Sequence, residues 1–165
     1  MTEIGLEIVP FEKATHLDDL LALTVRAWEP VFPEMEKAIP DYVYHNFYPN
    51  GWEARQIDDV RRMCDDPDID LRVALSEGKL AGYMGLRKHV EDSMGEIYIV
   101  AVDPQHQKFG IGKALMEFAL NWMRDRNLAM AMVETGADPG HAPSRATYES
   151  AGFERYPVAR YFRKL

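Results

Sequence analysis

A chain of 165 residues, 47% of them hydrophobic, is long enough for one core and short for two, so a single domain over 1–165 is expected. Its 27 acidic and 19 basic residues leave a formal charge of -8, the wrong sign for a partner bound through phosphates, which argues against nucleic acid and anionic membrane surfaces. One cysteine, Cys64, permits neither an internal disulfide nor a cysteine metal cluster and fits a reducing, cytoplasmic setting. Met1 to Gly5 lacks the basic flank and apolar run of a leader, and no stretch approaches the ~20 apolar residues of a membrane span, so a soluble, unprocessed protein is expected.

In chain order, Leu6 to Val9 alternates apolar and acidic residues up to Pro10 and predicts a first strand. Leu20, Leu21, Leu23, Thr24 and Trp28 have helical spacing, with Asp18 as an acidic start and Pro30 and Pro33 as stops. Val31 to Gly51 mixes prolines, acids and aromatics without a sustained period, which predicts a long connection with at most a helical turn. Trp52 to Cys64 predicts a second helix through Ile57, Val60 and Met63. Asp70 to Ser76 and Leu80 to Arg87 read as a hairpin about Glu77-Gly78-Lys79, followed by a third strand, Gly95 to Val102. Ile111, Ala114, Leu115, Phe118, Ala119 and Trp122 mark the clearest helix in the chain. Met130 to Glu134 reads as a strand, Pro143 to Ala151 as a short helix ended by Gly152, and Val158 to Arg163 as a closing strand. This order predicts an α/β sandwich around a mixed sheet rather than a regular strand–helix alternation.

The chemistry concentrates between Val100 and Ala114. Gly110 and Gly112 stand directly before the strong helix, leaving N–H groups uncovered at its positive end, where a pyrophosphate is stabilised; Lys108 and Lys113 add positive charge. A Walker loop fails here, because Gln107 and Ala114 occupy positions that need Gly and Ser or Thr. A dinucleotide fingerprint comes nearer, with Glu134 at a fitting distance, but Leu115 replaces its third glycine and only 31 residues follow Glu134. It is the runner-up, a small nucleotide-binding domain.

Gln107-Lys108-Phe109-Gly110-Ile111-Gly112 resembles the Gln/Arg-x-x-Gly-x-Gly/Ala signature of the GNAT (GCN5-related) N-acetyltransferases, preceded by a strand ending Val100-Ala101-Val102 and by Pro104. Ala146 to Phe153, with Tyr148 before Gly152-Phe153, resembles that family's later helix. Two positions depart from pattern: Phe109 replaces a basic residue or glycine, and His141 replaces an asparagine seven residues before the tyrosine. The resemblance implies an α/β three-layer sandwich with a mixed, mostly antiparallel central sheet, splayed strands and flanking helices. It implies acetyl-CoA as cosubstrate, with the pantetheine arm paired to Val100, Ala101 and Val102. The pyrophosphate would lie on Gln107, Lys108, Phe109, Gly110, Ile111, Gly112 and Lys113, with His141 and Ser144 as further cofactor contacts. Tyr148 would protonate the departing thiolate, and Glu96, six residues before Val102, would take the amine proton.

The five histidines, His16, His45, His89, His106 and His141, show no metal-ligand spacing, so no metal is expected. No Gly-x-Ser-x-Gly elbow is present. The expected reaction is direct acetyl transfer to a primary amine of a small molecule, with a peptide amine and a homodimer left open; the alternative is a non-catalytic acyl-CoA binding module. The aromatic and acidic segment Glu29 to Tyr48 is the expected wall of the acceptor pocket, with Glu34, Glu36 and Asp41 favouring a cationic amine and Tyr42 or Tyr44 covering it.

Overall fold

The computed structural model describes residues 5–165, and the reading of Met1 to Ile4 lies outside them. The elements are β1 (Leu6–Pro10), α1 (Lys13–Trp28), α2 (Phe32–Ala38), α3 (Asp41–Phe47), α4 (Trp52–Cys64), β2 (Ile69–Ser76), β3 (Lys79–His89), β4 (Met94–Val102), α5 (Ile111–Arg124), β5 (Met130–Val133) and α6 (Ala142–Ser150). Single 3-10 turns occur at Pro104–His106 and Pro139–His141. The strands lie in the order β1-β2-β3-β4-β5, antiparallel up to β4, while β5 runs parallel to β4. Hairpins make the β2–β3 and β3–β4 steps, with Glu77 and Gly78, both at positive φ, at the first turn, while β1 and β2 are joined through α1 to α4. The parallel step needs a crossover, which α5 provides.

Helices cover both faces of the sheet. On one face Leu20 and Leu23 of α1 and Val60 and Met63 of α4 pack on Val73 and Tyr83. The Tyr83 hydroxyl, wholly buried there, shares a 2.8 Å hydrogen bond with Thr24, whose own hydroxyl donates to the Leu20 carbonyl. On the other face Leu115, Ala119 and Trp122 of α5 pack on Met84, Leu86 and Ile97, with Tyr148 and Phe153 at the margin. α5 lies close because Gly82 and Gly95 carry no side chain beneath it: a Cβ on Gly82 would stand 2.9 Å from the Ala101 carbonyl oxygen and 3.2 Å from Ile111. Among the described residues no helix is long and apolar enough to cross a membrane.

Two expectations about secondary structure change. The 31–51 stretch holds two short helices, α2 and α3, built around an aromatic cluster: Phe32 stacks on Trp52 at 4.6 Å and meets Tyr48 edge-on at 5.2 Å, and Tyr48 lies against Tyr44 at 4.9 Å. Seven-residue helices are too short for a period to emerge from sequence. The expected closing strand, Val158 to Arg163, has no regular secondary structure. Tyr156, Val158 and Tyr161 are exposed, and Phe162 instead meets Phe47 of α3 edge-on at 5.7 Å.

One ion pair ties the first helix to the end of β4. Asp103, 2% exposed, receives Arg26 Nη2 at 2.5 Å and the Gln105 N–H at 3.0 Å, and its own N–H bonds the Ala81 carbonyl. Burial disfavours the Asp103 carboxylate, but the bonds from Arg26 and Gln105 outweigh it and hold the group below the usual carboxylate range. The folded-state value lies below the unfolded one, so this contribution is complete above pH ~4 and is lost as pH falls through the folded value. Asp103→Asn should therefore lower stability at pH 7 by about 1–3 kcal/mol. The gap to wild type should narrow below pH ~4, which denaturant melts across pH 2.5–7 would measure.

Candidate active site

The sheet opens along β4. Pairing between β4 and β5 runs from Met94↔Met130 to Ile97↔Val133 and stops where β5 ends, while β4 continues five residues further to Val102. Against β3 the register slips at the same place: Leu86 faces Ile97 and Gly85 faces Ile99, so Tyr98 is the extra residue of a β-bulge. A bulge resets which face each later side chain takes. Ile99 and Ala101 pack in the α1/α4 core, and Val100 and Val102 pack with α5. From Tyr98 onward the β5-side backbone groups of β4 have no strand beside them among the described residues.

A cleft of about 880 Å³ lies on the α5 side of this opening. Val100, Ala101 and Val102 line it from β4, and Gln107, Lys108, Gly110, Ile111, Gly112 and Lys113 from the loop and first turn of α5. Lys108 and Gly110 both hold positive φ, 71° and 80°, and Gly110 starts the helix without a side-chain cap. The first intrahelical bond is Ala114 N–H to the Gly110 carbonyl at 3.0 Å, which leaves the N–H groups of Ile111, Gly112 and Lys113 as the donors of the helix end. These donors and the helix dipole suit an anion. Gly112 stands in open surroundings, since a Cβ there would meet only Val102 at 3.8 Å. Its missing side chain serves no packing within the protein and leaves room above the helix end. A pyrophosphate-bearing cosubstrate fits this donor set.

The far wall of the cleft is α6, with Ser144, Thr147 and Tyr148. The helix ends in a Schellman turn: Gly152 at φ 90°, its N–H on the Glu149 carbonyl, and the Phe153 N–H on the Tyr148 carbonyl, both at 3.1 Å. That turn brings Phe153 edge-on to Tyr148 at 6.1 Å. Burial pushes the Tyr148 phenol above its ordinary value, a hydrogen bond with Ser144 opposing, so it carries its proton at neutral pH.

The remaining residues of interest lie off this lining. Phe109 projects outward at 58% exposed. His141 stands at the start of α6, its Nδ1 2.6 Å from Asp138 Oδ2. Glu96 sits in the part of β4 still paired on both sides, opposite Arg87 and Met132, and its Oε2 is 2.6 Å from His89 Nε2. Arg87 bonds Asp66 behind α4 and stacks on Tyr98 at 4.6 Å, which puts this row on the face opposite the cleft. On that face a second cavity of about 260 Å³ lies between α1, α4 and β4, lined by Trp28, Gln56, Asp59, Val60, Met63, Tyr98 and Ile99.

The residues expected to wall the acceptor pocket stand apart from both cavities. Glu34 pairs with Lys37 at 2.9 Å, Asp41 lies 3.3 Å from His45, Tyr44 is buried, and none lines either cavity. Sequence reasoning missed the second cavity, because the parity change at Tyr98 leaves no mark in the residue pattern. Cys64, the last residue of α4, packs against the α1/α4 core, and burial pushes its thiol up to about 11. Among the described residues no group of three or more His, Cys, Asp or Glu side chains is placed to hold a metal.

The model of the acetyltransferase (GNAT) family matches residues 32–153. A mycothiol acetyltransferase of Thermomonospora curvata is 36% identical over 108 residues, 64% of this chain and 35% of that protein, so the chain spans about a third of the length of that relative. Among solved structures, the PaiA N-acetyltransferase of Thermoplasma acidophilum in complex with coenzyme A superposes with a TM-score of 0.69 at 15% identity, covering 94% of this chain and 93% of that one. An aminoglycoside 6'-N-acetyltransferase of Acinetobacter haemolyticus gives 0.66 at 18% identity, covering 96% and 98%. At these identities the likeness shows a shared fold, a mixed sheet flanked by helices. With the signature loop at the head of α5 inside the matched span, this chain belongs to the acetyltransferase (GNAT) family.

Proposed function

We propose that this chain moves an acetyl group from acetyl-CoA directly to a primary amine of a small molecule. The observation that carries the reading is the uncapped α5 terminus, open at Gly112, beside a stretch of β4 with no strand at its edge. The 36% identical relative, a mycothiol acetyltransferase, supports a small-molecule acceptor.

Acetyl-CoA supplies an activated thioester; the chain's residues do the rest. The N–H groups of Ile111, Gly112 and Lys113 hold the pyrophosphate, with Gln107 and Lys108 beside them. The free edge of Val100 to Val102 pairs the pantetheine amides, and a backbone N–H of that edge stabilises the negative charge that develops on the acyl oxygen. Tyr148, neutral at working pH, gives its proton to the departing sulfur. The amine reaches the opening from the second cavity, past Trp28, Asp59 and Tyr98. An amine near the lysine reference pKa of about 10.4 arrives as ammonium and must shed a proton before it can attack. Glu96, bonded to His89 on that face, takes this proton through water. Cys64 has no part in the transfer: its thiol stays protonated at neutral pH and packs in the α1/α4 core.

Three outcomes are expected. Gly112→Val should weaken coenzyme A binding tenfold or more by calorimetry while the melting temperature moves by only a few degrees, because the added methyls enter the cleft and not the core; unchanged affinity in the folded variant would remove the loop from the site. Tyr148→Phe keeps the ring and should lower kcat by roughly 10²- to 10⁴-fold without changing coenzyme A affinity. Glu96→Gln should lower kcat/KM with coenzyme A affinity kept, and a folded variant with the wild-type rate would leave Glu96 a solvated strand residue. A panel of amines with coenzyme A release as the readout tests the whole reading: tight acetyl-CoA binding with no release for any amine would favour a binding module.

A further inference from the structure

The strand-forming segment at the end of the chain has no place in its own sheet. Tyr156, Val158 and Tyr161 are 83%, 78% and 90% exposed, a run of large apolar side chains that the chain itself leaves uncovered. Three contacts set the course of the segment: Arg155 pairs with Glu149 of α6, Arg160 Nη2 lies 3.7 Å from Glu134, and Phe162 meets Phe47 of α3. Glu134 directly follows β5, so the segment passes the end of that strand on its way to α3. Among the described residues it makes no backbone pairing with β5 or with any other strand.

The sheet has an edge to match. β5 pairs with β4 along one side, and among the described residues no strand or loop bonds the other side of Ala131 to Val133. Such an edge, with its row of N–H and C=O groups, is a template for a further strand. The charges match as well. Residues 154–165 carry Arg155, Arg160, Arg163 and Lys164 against Glu154, which leaves 26 of the 27 acidic but only 15 of the 19 basic residues in the rest of the chain. Acids flank the β5 edge at both ends: exposed Glu91 and Asp92 in the β3–β4 turn, whose Ser93 bonds Ala129, and Glu134 beyond Val133.

We propose that two copies of this chain assemble by reciprocal exchange, Val158 to Arg163 of each adding as a strand to the β5 edge of the other. Because each segment passes the end of its own β5, two β5 edges brought together across a two-fold axis lay each segment along the partner's edge, and one surface is used twice. Pro157 has no N–H to give to a ladder and stands just before the added strand, where proline is tolerated. The contacts given up are the exposed ion pairs of Arg155 and Arg160, which contribute little. The area suffices. A tyrosine buries roughly 150–250 Å², so Tyr156 and Tyr161 of both copies remove about 600–1,000 Å² from water. The surface that covers them doubles this to about 1,200–2,000 Å², the size of a stable interface. The assembly is independent of the acetyl-transfer chemistry, since none of residues 154–165 lines either cavity.

Sedimentation equilibrium of the full chain at micromolar concentration should give a mass near twice the 18.9 kDa of one copy. Val158→Asp combined with Tyr161→Asp should return the single-copy mass with the far-UV circular dichroism unchanged, because both side chains are exposed in one copy. Truncation after Glu154 serves if that variant aggregates, with the same expected mass. Cross-linking reads the position of the segment. With Cys64→Ala in both, coexpressed Ala131→Cys and Ala159→Cys copies bearing different tags should be joined by a short bismaleimide into a species that holds both tags. Wild type that stays at the single-copy mass, a folded double variant that stays dimeric, or a dimer in which the two tagged copies do not cross-link overturns the proposal. A monomer that sediments with vesicles of anionic lipid overturns it too, and assigns the basic aromatic segment to a membrane surface.

Discussion

The site depends on one event in the sheet: β4 outlasts β5 by five residues. A strand inside a sheet has both rows of backbone groups paired, and there is nothing left to bind. Where β5 stops at Val133, the β4 groups beyond Ile97 lose their partners on one side without losing their support, because β3 still pairs the other side as far as Val102. A rigid strand with one free edge is a ready acceptor for an extended chain bearing amides, in the way an added strand is bound. The bulge at Tyr98 falls on the same spot and turns two successive side chains, Tyr98 and Ile99, toward the α1/α4 face. One strand thereby serves two cavities: Tyr98 and Ile99 line one, and Val100 to Val102 line the other.

How an acidic chain holds a polyanion follows from which groups face the cleft. The net charge of -8 disfavours an anion at long range, and the lysines offer little against it: Lys113 is largely exposed and 4.0 Å from Glu117. The donors with fixed geometry are backbone N–H groups, presented by a 14-residue helix whose apolar face, from Ile111 to Met123, is anchored in the sheet. Such donors cost no side-chain entropy and are insensitive to overall charge. Their position is set from behind by Asp103, which joins the end of β4, the turn before Gln107 and Arg26 of α1 in one cluster.

Much of this was legible in the sequence, and the reasons differ by segment. The helix from Ile111 and the hairpin about Gly78 follow from strong periodicity and turn chemistry, and the order of strands and helices followed with them. Gln107 to Lys108 and Gly110 to Lys113 were legible as lining residues because a glycine-containing helix start is a local feature, and Val100 to Val102 only through the family resemblance. The face of Glu96 was not. Its side depends on the pairing with Arg87 and on the bulge two residues later, and register is a property of two strands together. The helices α2 and α3 stayed hidden because their stability comes from tertiary aromatic contacts, Phe32 with Trp52 and Tyr44 with Tyr48, not from local propensity. The tail failed for the converse reason: Val158 to Arg163 has strand-forming residues, but no strand pairs with them.

The two histidine–carboxylate pairs show how the same chemistry takes different work from its surroundings. His89–Glu96 lies where β4 is paired on both sides, with the histidine 34% and the carboxylate 18% exposed, so the imidazole is the outer member and connects the acid to solvent. His141–Asp138 reverses the order of burial: the carboxylate is the inner member, 9% exposed, and the imidazole stands outward from it beside the first turn of the cleft-lining helix. A buried carboxylate behind an imidazole fixes its tautomer and leaves the far nitrogen as the basic end, whereas an exposed imidazole behind a carboxylate offers that acid an exit for its proton.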